Sequence, residues 1–87
     1  MRHPLGVNLI VDQHTYNVVV KFDNGVTKIY NMKELINTHA AFKPIEDKIF
    51  FSSAQLDTKG HAIIWSDEID IAIEEIYLNG KNLPEEL

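Results

Sequence analysis

Apolar and polar residues alternate over two runs, Asn17 to Phe22 and Val26 to Asn31, which meet across Asn24 and Gly25. A period of two predicts half-buried strands, and Asn followed by Gly predicts the tight turn of a β-hairpin. With a two-residue turn, Val20 faces Ile29 and Phe22 faces Thr27. The inner face is then Val18, Val20, Phe22 and Ile29, with Lys21 opposite Lys28 outside. A three-residue loop, Asp23-Asn24-Gly25, pairs Phe22 with Val26 instead and brings Val26 and Tyr30 inward in place of Ile29. Turn chemistry favours the first register, and a slip of one residue inverts the whole second strand.

The flanking pattern extends this hairpin in both directions. Leu5 to Val11 reads as a first strand, with Val7, Leu9 and Val11 on one parity and Asp12-Gln13-His14 as the turn that follows. Asn31 can cap a helix from Met32 to Asn37, with Glu34 returning a bond to the cap and Tyr30 stapled onto Leu35. Phe42-Lys43-Pro44-Ile45 is expected to be extended, because the residue before a proline avoids helical dihedrals. Asp47 then caps a short turn of helix through Phe51.

Ser52 to Asp57 and His61 to Trp65 form a second hairpin around Thr58-Lys59-Gly60, with Ala62 to Trp65 as a central strand. Ser66 to Ile71 reads as an acidic link, and Ala72 to Leu78 as a helix whose face is Ala72, Ile73, Ile76 and Tyr77. Asn79-Gly80 stops it, and the tail from 81 to 87 is expected to fray. The pattern predicts one α+β domain over residues 1–87: a small antiparallel sheet built from two β-hairpins and an N-terminal strand, with two or three short helices.

Composition narrows the class. Of 87 residues 45% are apolar and 24% charged, the balance of an ordinary globular chain with a packed core. Cysteine is absent, which removes disulfides, thiolate metal sites and cysteine nucleophiles and fits a reducing compartment, so a cytoplasmic location is expected. Asp12 interrupts an N-terminal apolar run too short for a signal-peptide core, and no window approaches the roughly 18 apolar residues of a membrane span. The net charge of −5, with lysines dispersed from Lys21 to Lys81, argues against direct binding to nucleic acid.

The densest charge cluster is Asp67, Glu68, Asp70, Glu74 and Glu75. Converging carboxylates could hold a hard cation or work as an acid and base, yet the spacing is not that of a calcium loop and contains no glycine to fold the ligands inward. A solvated loop, or an acidic surface that steers a partner, explains the same residues. His3, His14, His39 and His61 are scattered, Ser52, Ser53 and Ser66 lack a nucleophile elbow, and the four glycines open no phosphate loop. No catalytic, cofactor-binding or metal-binding residue is therefore nominated, and an enzyme is not expected. Trp65 and Tyr77 can serve either as core or as interface anchors, since aromatic side chains dominate both. The candidate partner contacts are Trp65, Asp67, Glu68, Asp70 and Tyr77.

The order of four pieces, VVVKFDNGVTKIYNMKELI, FKPIEDKIFF, GHAIIW and IDIAIEEIY, resembles the small bacterial family known as domain of unknown function 2442. Phe22 before the turn, Phe42 in a Phe-x-Pro segment, Trp65 closing a strand and Tyr77 on a final helix match its pattern, with Ile45 and Ile76 in the usual leucine places. Asp67-Glu68 and Ile73 stand where the family often has Gly and Pro. The resemblance implies a small antiparallel α+β fold without assigned catalytic residues. It also implies genomic settings that include toxin and antitoxin-like pairs and fusions to helix-turn-helix domains. The expected role is an interaction or regulatory module, an antitoxin-like partner of another small protein or a self-associating chain. The alternatives are an accessory domain acting through a separate DNA-binding subunit and, third, a small hydrolase or metal-binding protein using the acidic cluster.

Overall fold

The computed structural model describes residues 3–84. In chain order the elements are β1 (Gly6–Asp12), β2 (Asn17–Phe22), β3 (Thr27–Asn31), α1 (Lys33–Thr38), a 3-10 segment (Ala40–Glu46), α2 (Lys48–Phe51), β4 (Gln55–Leu56), β5 (Ala62–Ser66), β6 (Ile69–Ala72), α3 (Ile73–Asn79) and β7 (Lys81–Asn82). The fold is α+β, and every strand pairing is antiparallel. The strands divide into two sheets rather than the one expected: four strands ordered β1-β2-β3-β7, and three ordered β4-β5-β6.

The first hairpin takes the three-residue loop, which corrects the two-residue register. Val18 lies opposite Tyr30 and Val20 opposite Lys28, and Phe22 N donates to Val26 O at 2.8 Å. Only Gly25 adopts positive φ, at +89°, whereas a two-residue turn of the favoured type also asks it of Asn24. Asn24 instead accepts from Val26 N on Oδ1 at 3.0 Å, bracing the loop from its side chain. The register turns Tyr30 toward the core and Ile29 to the opposite face. On β1 a bulge at Val7 shifts the register between Gly6 and Asn8. Leu9 and Val11 pack on the core, while Val7 leaves the parity it was expected to share and is exposed.

Asn31 ties the hairpin to the helical arm. Its Oδ1 accepts from Lys33 N at 2.9 Å, and its Nδ2 donates to Thr15 O and Asn17 Oδ1. Helix α1 begins one residue later than expected, with Met32 at the N-cap position, and buries Ile36. The stretch around Pro44 is not extended but a 3-10 segment. Pro44, with φ already helical and no N–H to satisfy, starts its last turn, and its carbonyl accepts from Asp47 N at 3.3 Å. Asp47 caps α2 as expected, accepting from Ile49 N and Phe50 N. Tyr16 holds this arm to the sheet from a left-handed backbone, φ +63°. Its ring meets Phe51 edge-on at 5.1 Å and its hydroxyl donates to Glu46 O.

The second hairpin turns at Gly60, φ +76°, and Gly6 N donates to Gly60 O at 3.0 Å, fastening one sheet to the other. A Cβ at Gly60 would lie 2.3 Å from Gly6 O, so the close approach itself demands glycine. Ile69 to Ala72, read from sequence as part of an acidic link and the start of a helix, is strand β6. Ile69 and Ile71 point into the core, Asp70 and Ala72 point out, and α3 begins only at Ile73. Gly80 ends α3, as expected, with its N–H on Ile76 O. The tail then holds a short strand: Lys81 and Asn82 pair with Ile29 and Lys28. Residues 85–87 of that tail lie outside the described residues. The core gathers Val18, Val20 and Phe22 of β2, Met32 and Ile36 at α1, Ile45 of the 3-10 segment, Phe51 of α2, Ile63 of β5 and Ile76 of α3.

Candidate functional site

The structure separates the candidate contacts. Trp65 turns inward, with 7% of its surface exposed. Its Nε1 donates to Phe51 O at 3.0 Å and its ring tilts against Phe51 at 5.8 Å. Trp65 also lines a hollow with Ser53, Gln55 and Ile64. Asp67 and Glu68 are exposed on the turn between β5 and β6, and Asp70 is exposed on β6. Tyr77 sits against the first hairpin. It meets Phe22 edge-on at 5.1 Å, accepts from Asn24 Nδ2 at 3.2 Å and carries Lys28 Nζ 5.4 Å above its ring. The family-pattern aromatics Phe22 and Tyr77 thus meet ring to ring, with Asn24 of the turn bound to the Tyr77 hydroxyl.

The acidic cluster disperses in space. Glu74 reaches His3 Nε2 at 2.8 Å, while Glu75 Oε2 accepts from the Tyr30 hydroxyl at 3.1 Å. Burial, reinforced by the Glu75 carboxylate, pushes the Tyr30 phenol up to about 12. Among the described residues no group of three or more His, Asp or Glu side chains is arranged to hold a metal ion. The serine hydroxyls are occupied by backbone: Ser52 and Ser53 donate to Ile49 O and Phe50 O, and Ser66 accepts from Glu68 N.

A surface that the sequence reading did not single out lies on the outer face of the four-stranded sheet. Register aligns Ile10, Val19, Ile29 and Lys81 across β1, β2, β3 and β7, and beside them Asn8, Lys21 and Thr27, whose carbonyl accepts from Leu83 N. Ile10 is 61% exposed. Ile10, Val19, Lys21 and Leu83 line a groove of about 270 Å³. Ile29, the neighbour of Val19, also belongs to a groove of about 560 Å³ with Tyr30, Asn31, Glu34, His39, Asn79 and Lys81. Lys21 and Lys81 are the charged side chains of these two rows, on a chain of net charge −5, and Asp12 ends the same face of β1. Such a surface offers an apolar floor with hydrogen-bonding walls. The missed signal was the outward parity of β1 to β3, which can be read only once the hairpin register is known.

Two antiparallel sheets packed with short helices, and a sheet face left open, define a small α+β module. The chain belongs to the family described as Protein of unknown function (DUF2442), whose model matches residues 9–82. That match runs from within β1 to the end of β7, and the description names no activity. Neither the curated proteins nor the solved structures contain a match to this chain.

Proposed function

We propose that the protein is a small interaction module, antitoxin-like in pairing with another small protein, and that the outer face of the four-stranded sheet is its docking surface. The observation that carries the reading is the row Ile10, Val19 and Ile29, in which Ile10 is exposed and the other two are half-buried, bordered by Lys21 and Lys81. An apolar band with a cationic border fits a partner segment that is apolar at its centre and carries carboxylates at its rim. The engaged serines and the dispersed carboxylates support binding over catalysis.

The test begins with the protein that co-purifies with this chain from its native host. That protein is identified, expressed and titrated calorimetrically against the wild-type chain and Val19→Glu. Binding should weaken at least about tenfold for the variant, because a carboxylate would be buried in the apolar row. Equal affinity of the two chains, or the lack of any reproducible protein partner, would count against the proposal.

A further inference from the structure

We infer that β1 is a self-association edge, along which a second copy of this chain adds its own β1 antiparallel with Ile10 opposite Ile10. The two ends of the four-stranded sheet differ. β7 has two residues and runs into Pro84, whereas β1 has seven, GVNLIVD, with no proline or lysine to blunt it.

The ladder shows which groups face outward. Phe22 N donates to Val26 O, so the even residues of β2 address β3. Asn17, Val19 and Lys21 then address β1, where they pair with Asp12, Ile10 and Asn8. The alternation of an antiparallel ladder turns the N–H and C=O groups of Leu9 and Val11 away from the sheet. Among the described residues no backbone hydrogen bond outside the strands reaches them. At the other end of β1, Gly6 N is taken by Gly60 O, which confines new pairing to the stretch from Asn8 to Asp12.

Side chains choose the register within that stretch. A two-fold axis at Ile10 pairs Leu9 with Val11 of the second copy and makes about four interchain hydrogen bonds. It sets Ile10 against its own copy in the close, non-hydrogen-bonded position, covering a side chain that is otherwise 61% exposed. Asp12 then faces Asn8 of the second copy. An axis at Asp12 would oppose two carboxylates, a repelling pair. The axis stands perpendicular to the sheet, so the two outer faces lie on the same side and merge into one broader surface. A short contact of this kind makes a weak, concentration-dependent dimer. It goes beyond the partner reading and does not rest on it.

Sedimentation equilibrium of the purified chain tests the edge. The wild type should dimerise between about 1 µM and about 1 mM. Ile10→Lys and Ile10→Glu should each be monomeric with unchanged thermal unfolding, since the side chain lies outside the core, and their equimolar mixture should dimerise again. The register is tested in the naturally cysteine-free chain: Ile10→Cys should form a disulfide-linked dimer under mild oxidation, and Asn8→Cys should not. A wild type monomeric throughout, a dimer undisturbed by both charged variants, or equal cross-linking of the two cysteine variants would overturn the inference. Every readout uses this chain alone, so failure here is distinguishable from failure of the partner reading.

Discussion

The two faces of β2 lie in very different surroundings. Val18, Val20 and Phe22 have 0%, 0% and 1% of their surface exposed, whereas Val19 and Lys21, each one residue away, look out from the open side of the sheet. The inner residues are surrounded by side chains from β1, the helical arm and the second sheet. The outer ones lie beside their cross-strand neighbours and line a shallow groove with Leu83. Close packing on one side makes volume matter there, and its lack on the other leaves residues whose identity the fold does not dictate.

Truncating an inner residue is the harshest way to probe this asymmetry. Phe22→Ala should lose about 3–5 kcal/mol in urea unfolding, through lost burial and the cavity left beneath Tyr77. Val19→Ala on the outer face should lose less than about 1 kcal/mol. Similar losses at both sites would erase the distinction. Next in size is the seam that closes the inner side. Gly60→Ala places a Cβ 2.3 Å from Gly6 O at a positive-φ position, and the same measurement should show more than about 2 kcal/mol lost. Asp47→Ala removes the cap of α2 and should lose about 1 kcal/mol.

The smallest effect is a pH dependence at the rim between the faces. Tyr30 has its phenol raised from 10.0 to about 12 in the folded chain, by burial first and then by Glu75. Between those values the unfolded chain gives up a proton that the folded chain keeps, so stability falls as pH rises through this window and is independent of Tyr30 below it. Tyr30→Phe should flatten that alkaline slope in unfolding curves. An unchanged slope would show that the phenol does not feel its pocket.

Much of the inner side was legible in the sequence because its signals are local. The Asp47 cap, the left-handed Gly60 and the core parity of Val18, Val20 and Phe22 each follow from residues close together in the chain. Three features were hidden for identifiable reasons. The hairpin register turned on whether Asn24 or only Gly25 carries positive φ, a choice that tertiary packing of Tyr30 and Tyr77 also weighs. β6 is only four residues long and its alternation, Ile-Asp-Ile-Ala, was masked by flanking acids and by the helix that follows directly. The division into two sheets depends on a glycine-to-glycine contact across 54 positions, from Gly6 to Gly60, which no local pattern encodes. The outer face stayed hidden behind the first of these, since Ile29 joins Val19 and Ile10 only in the three-residue loop register.

The central claim, that the inner face of the sheet holds the fold and the outer face holds a partner, is tested most directly by placing the same substitution at adjacent positions of β2. Val20→Glu and Val19→Glu are compared by urea unfolding and by calorimetric titration with the identified partner. The account predicts that Val20→Glu unfolds the chain or brings it close to unfolding, while Val19→Glu stays folded and binds at least about tenfold more weakly than wild type. A folded Val19→Glu chain that binds as tightly as wild type would contradict it.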